Sequence, residues 1–216
     1  MGWYADEAKT SQDGPVTSVN VCCVPHSVER MNLADWGEEI ARTVLEIPLP
    51  RRWAHSQGVA ARARDLAPLL GKDAELVEAA AWLHDIGYVP GLAVTGFHPL
   101  DGARYLRDVQ HAGPVLCALV AHHSCAAVEA EERGLAADLA AEFPAAPDLP
   151  LAALTYCDMT TSPDGESVSF GWRIEDIHTR YGPGHRVTRA IGRALPQLAA
   201  SVGVIRLCQV RAVAAV

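Results

Sequence analysis

Lysine is almost missing from this chain: Lys9 and Lys72 are the only two, and every other strongly basic side chain is arginine. Together with a formal net charge of -8, this leaves no clustered basic surface of the kind that grips nucleic acid or an anionic membrane. Neither is expected as a partner. The arginine preference is as consistent with a GC-rich genome as with bidentate phosphate binding. Long apolar runs are missing too, since no uninterrupted apolar stretch reaches the roughly 18 to 20 residues of a spanning helix. The opening MGWYADEAKTSQDG has neither the basic nor the apolar region of a secretory signal. No CxxC pair occurs among Cys22, Cys23, Cys117, Cys125, Cys157 and Cys208, which argues against a thiolate zinc site or a redox motif. Reduced, mostly buried thiols in a cytoplasmic protein are expected.

Aromatic residues are scarce, at 6% of a chain that is 50% hydrophobic. Alanine, leucine and valine must therefore fill the interior, a mixture that favours helices over sheets. A length of 216 residues suits one domain with a generous core. The expected fold class is all-α. Residues 1–30 show no sustained periodicity and are expected to be a disordered extension, with Met31 a candidate start of the chain; residues 31–216 form the single domain.

Helical periodicity begins after Met31, with Asn32 or Asp35 as cap and the prolines at 48 and 50 as terminators. A second helix from about Arg52 to Leu66 puts His55, Val59, Ala63 and Leu66 on one stripe, so His55 points inward. The third starts at Asp73 as N-cap and carries His84 and Asp85 in its last turn, with Gly87 as terminator. His98-Pro99 opens a fourth, because proline is tolerated at the first helical position. Pro114 to Gly134 reads as one long helix with Leu116, Leu119 and His123 on a common face. A sixth carries Leu151, Leu154 and Asp158; a carboxylate on an apolar stripe requires a partner. TTSPDG (160–165) is turn chemistry, followed by C-terminal helices between 169 and 216 separated by YGPG.

Imidazoles and carboxylates thus recur on inward faces: His55, His84 with Asp85, His98, one of His122 and His123, and Asp158. Mixed nitrogen and oxygen donors suit a divalent transition metal, Fe, Mn, Zn, Co or Ni, rather than an all-oxygen site for Mg or Ca. Burying so many ionisable groups without a cation would cost several kcal/mol each, on the order of the penalty for unpaired charges in proteins. His26, His111, His178 and His185 lie in polar or turn contexts and are expected at the surface.

The ordered set of His55, the HDIG of residues 84–87 and a distal Asp158, in a helical context over about residues 50–160, resembles the HD superfamily of metal-dependent phosphohydrolases. HPLDGA (98–103) and HHSCA (122–126) fall where binuclear members, such as the symmetrical diadenosine tetraphosphate hydrolases, hold a second metal. The resemblance implies an HD-domain-like helical bundle and two ions, with Fe or Mn foremost. One would be held by His55, His84, Asp85 and Asp158, the other by Asp85, His98 and His123, with Asp85 bridging. His122 is the alternative to His123. His84 and Asp85 are the central catalytic pair, and the activity implied is hydrolysis of a phosphoester or phosphoanhydride in a small phosphorylated metabolite such as a nucleotide. Arg51, Arg52 and Arg62 are candidate phosphate clamps, and Thr160 and Thr161 candidate substrate contacts. HHSCA lacks the GYP of cyclic-di-GMP phosphodiesterases, and HDIGYV lacks the ED pair of alarmone hydrolases, so neither substrate is favoured. The same scaffold resembles di-iron oxygenases, one rival; a metal-retaining regulatory module without turnover is another. Oligomeric state is left open.

Overall fold

A computed structural model describes residues 31–214 as a bundle of helices, with no strand among the described residues and one isolated bridge between Thr161 and Ser167. The expectations for residues 1–30, including His26, Cys22 and Cys23, lie outside the described residues. The bundle opens with α1 (Leu33–Leu45), α2 (Pro50–Asp65), α3 (Ala67–Leu70) and α4 (Ala74–Leu83). It continues through α5 (His98–Asp108), α6 (Pro114–His122), α7 (Ala126–Arg133) and α8 (Ala136–Glu142). It closes with α9 (Asp148–Asp158), α10 (Phe170–Tyr181) and α11 (Arg186–Ala214). None of the described helices is long and apolar enough to cross a membrane.

Local chemistry explains most of the boundaries. The Asn32 side chain accepts from Asp35 N at 2.8 Å and starts α1. Pro50 stands in the first turn of α2, where its missing N–H costs nothing. Ser169 accepts from Trp172 N at 3.1 Å and starts α10. Asp73 does precede α4, but its side chain makes no cap bond, because a tight turn over Gly71–Asp73 leads into the helix instead.

The helix α4 is the centre of the molecule and packs against α1, α2, α6 and α9. Every residue from Ala79 to Gly87 is buried, so the His84-Asp85 pair leaves the end of a helix surrounded by others. Leu45, Val59, Leu83, Leu119 and Leu154 fill the surrounding core with essentially no exposure. The long α11 lies along α9, α7 and α10. Cys117 and Cys157 are buried and free, Cys125 and Cys208 partly buried and free, and burial pushes the Cys157 thiol up to about 12.

Two expectations are corrected. Gly87 does not terminate its helix with a left-handed backbone; it is a close-approach residue, since a β-carbon there would meet the His98 carbonyl oxygen at 2.1 Å. The stretch from Pro114 to Gly134 is not one helix. It breaks after His122 into a short 3-10 turn, His123–Cys125, where Ser124 (φ 49°) and Cys125 (φ 59°) adopt left-handed conformations. Each such non-glycine residue costs about 1 kcal/mol or more, and the break aims His123 inward.

Candidate metal centre

Three histidines are held in the same way. His55 Nδ1 lies 2.8 Å from Ser162 O, His84 Nδ1 2.8 Å from Ala81 O, and His123 Nδ1 2.7 Å from Val120 O. A carbonyl oxygen only accepts, so each Nδ1 carries the hydrogen and donates it. Each Nε2 is then a lone pair directed at the interior. His84 Nε2 is buried and has no hydrogen-bond partner.

The carboxylates complete an acceptor-rich centre. His55, His84 and Asp158 bring one potential ligand atom each within 4.8 Å of one another, and Asp85, His98 and His123 do the same. Asp85 stands between the two groups: Oδ1 is 3.6 Å from His84 Nε2 and 3.4 Å from His98 Nε2, while Oδ2 is 4.0 Å from His55 Nε2. His55 Nε2 and Asp158 Oδ1 face each other at 3.1 Å, and His98 Nε2 and His123 Nε2 at 3.2 Å. Lone pairs and carboxylate oxygens that converge in this way could hold a cation, and this donor set fits divalent transition metals.

Electrostatics keep the donors in ligand form. Burial alone would raise the Asp85 carboxyl, but the Arg52 guanidinium beside it holds it well below the usual carboxylate range. Burial likewise opposes ionisation of Asp158, and the Arg173 guanidinium charge helps to hold its carboxyl well below the usual carboxylate range. Burial pushes the His98 and His123 imidazoles below their ordinary value. Ionised carboxylates and neutral imidazoles are the forms that bind metal.

Two glycine contacts bring ligands into place. The turn after α9 lies directly on α2, where a β-carbon on Gly165 would meet Ala54 O at 2.4 Å. That contact sets Ser162 O against His55. Gly87 lets the N-terminus of α5 close on the HD turn and carries His98 to Asp85. The loop before His98 is tied down by the buried Asp101, which accepts from Thr95 N at 3.0 Å, Thr95 Oγ1 at 2.9 Å and Gly96 N at 3.0 Å.

Above the centre opens a cleft of about 80 Å³. Asp85, His98, His123 and Asp158 reach its floor, and Ile177, Val187 and Ile191 from α10 and α11 form an apolar wall. Arg52 and Tyr88 stand at one side. The Arg52 guanidinium lies 3.8 Å above the Tyr88 ring centre, and that ring stacks on His98 at 4.0 Å, so one phenol fixes both neighbours.

Several expected substrate contacts are not at the cleft. Arg62 turns away to Ser167 Oγ at 2.7 Å and Tyr156 OH at 3.1 Å. Thr160 and Thr161 donate back into α9, to Tyr156 O at 2.6 Å and Cys157 O at 2.7 Å, because their hydroxyls satisfy the helix end. Arg51 is exposed and paired with Asp164 at 2.7 Å. His122 is held by Phe143 O at 3.1 Å and belongs to neither group of ligands. His111, His178 and His185 are exposed. The sequence reading missed Tyr88, Ser124, whose hydroxyl donates to Asp158, and Arg173, whose Nη2 lies 3.4 Å from Asp158 Oδ1. Only the need of a buried Asp158 for a partner pointed towards the last two.

The model of one protein family, the HD domain, matches residues 52–159. That span is half of the chain and contains all six residues of the two groups. The chain belongs to the HD domain family. Comparison with curated proteins and with solved structures gives no match. Within this HD domain protein, α10 and α11 lie beyond the matched span yet supply one wall of the cleft.

Proposed function

We propose that the protein is a metal-dependent phosphohydrolase that cleaves a phosphoester or phosphoanhydride bond in a small phosphorylated metabolite. The observation that carries this reading is the position of Asp85, between two groups of inward lone pairs at the foot of a cleft. In this reading His55, His84 and Asp158 would hold one divalent transition metal, Fe or Mn foremost, and His98 and His123 a second, with Asp85 available to both. When bound, such ions supply Lewis acidity towards a phosphoryl oxygen and lower the pKa of water.

The chain's own residues supply the rest. Arg52 spends one N–H on Asp85 Oδ2, at 2.7 Å, and its remaining donors are free to bind a non-bridging phosphoryl oxygen. Tyr88 keeps that guanidinium and the His98 ring in register. Ser124 donates to one oxygen of Asp158 and leaves the other towards His55. The apolar wall of α10 and α11 excludes water from the far side of the bound molecule.

The test is to measure bound metals by elemental analysis and to screen nucleotides and phosphoesters for phosphate release, with the His84→Ala/Asp85→Ala variant alongside. The expected result is metal-dependent release without oxygen uptake, and loss of both metal and activity in the variant. Equal activity in the variant overturns the reading; oxygen consumption on polyols or phosphonates would move it to the oxygenase branch.

A further inference from the structure

Beside the cleft lies a second cavity of about 100 Å³ whose lining is Arg51, Arg52, His55, Pro163, Arg173 and Arg180. Four of those six residues are arginines, and no carboxylate lines it. That composition is unusual in a chain of net charge -8. Arg52, Arg173 and Arg180 also line the main cleft, so the two spaces share a guanidinium wall.

The arginines are not used up by their ion pairs. Arg173 is 5% exposed, and its Nε has no hydrogen-bond partner among the described residues. Its Nη1 and Nη2 make long contacts of 3.2 Å to Asp176 and 3.4 Å to Asp158. Arg52 is bonded to protein through Nη1 alone. Arg180 gives Nε and Nη2 to Asp176 Oδ2 at 2.9 Å, which leaves Nη1. Arg51 gives Nε and Nη2 to Asp164 and likewise keeps Nη1. An unpartnered donor on a buried guanidinium costs on the order of 1–3 kcal/mol or more, a cost that an anion in the cavity would offset.

We propose that the arginine-walled cavity is a second anion subsite, which takes a further phosphoryl group of a substrate whose reacting phosphoryl group lies in the cleft. The inference rests on the phosphohydrolase reading and narrows it: the substrate carries at least two phosphoryl groups, as a phosphoanhydride or a bisphosphate does, and is not a simple monoester. Arg173 and Arg180, both on α10 and beyond the family match, set that preference.

The full chain, stripped of metal and checked by elemental analysis, is titrated with inorganic phosphate by calorimetry. Without a cation the histidine and aspartate centre repels an anion, so binding reports the arginine cavity. One saturable site is expected, weakened about tenfold or more by Arg51→Gln/Arg180→Gln, since two charge-assisted donors are lost. Both residues are exposed, and an unchanged thermal transition shows that the variant is folded. In the metal-loaded protein, methylenediphosphonate should bind about tenfold more tightly than methylphosphonate, and the double variant should remove that margin alone. A stripped protein with no saturable phosphate site, a site indifferent to the double variant, or a diphosphonate margin that survives it overturns the subsite. A protein that takes up no metal but shows the arginine-dependent site refutes the phosphohydrolase reading and retains the subsite.

Discussion

A β-carbon on Gly58 would stand 2.2 Å from the carbonyl oxygen of Gly165, so the turn that follows α9 rests directly on the backbone of α2. The same turn presents Ser162 O to His55 Nδ1. An alanine in a helix is ordinarily favoured over glycine by about 1 kcal/mol. Here Gly58→Ala must push the turn away, and a net destabilisation of about 1–3 kcal/mol is expected from the forced backbone shift. Urea unfolding measures it. Loss of the carbonyl that orients His55 should also weaken metal binding about 10- to 100-fold, and an unchanged metal affinity would separate the turn from the centre.

Gly87→Ala tests the opposite side. Its β-carbon would meet His98 O at 2.1 Å and Gly102 N at 2.6 Å, so α5 must retreat and take His98 from Asp85. Elemental analysis should find fewer ions per chain than in the wild type, with the ion at His55, His84 and Asp158 retained. Gly58→Ala and Gly87→Ala should therefore weaken different ions, whereas equal loss of both in each variant would mean that the two groups of ligands bind as a unit.

The candidate ligands were legible because helix periodicity places His55 and Asp158 on apolar stripes and HDIG closes an apolar helix. The geometry around them was not. Ser124 and Cys125 carry no glycine signal for a left-handed backbone, so the break that aims His123 was read as continuous helix. Gly87 has the sequence appearance of a terminator, and only the approach of α5 reveals it as a contact. Arg173 lies on a helix with no local mark of function. Its place beside Asp158 follows from the chain returning α10 over that residue, a tertiary fact that periodicity does not encode. Arg62, nearer to His55 in sequence, faces the other way for the same reason.

His122 and His123 offer a direct contrast between neighbours. His123 Nε2 is turned to the centre, and His122 Nε2 is spent on Phe143 O. His123→Gln should lower the metal content while leaving the thermal transition of the metal-free protein within a few degrees. His122→Gln should leave metal content unchanged and lower stability by about 1 kcal/mol, the worth of one hydrogen bond. The reverse pattern would reassign the ligand to His122.

Asp101 sits one helical turn after His98 and is 3% exposed, yet it belongs to neither group of ligands. Its carboxylate gathers the Thr95 and Gly96 amides and the Thr95 hydroxyl, and so holds the loop that delivers His98. Asp101→Ala frees those donors in a partly exposed loop, where water replaces part of what is lost. A destabilisation of about 1–2 kcal/mol is expected from unfolding curves. If Asp101 acts only through the loop, Asp101→Asn, which keeps an acceptor oxygen, should restore much of the stability and most of the metal occupancy. Failure of asparagine to restore metal occupancy in a folded protein would instead mean that the charge of Asp101 itself contributes to the centre.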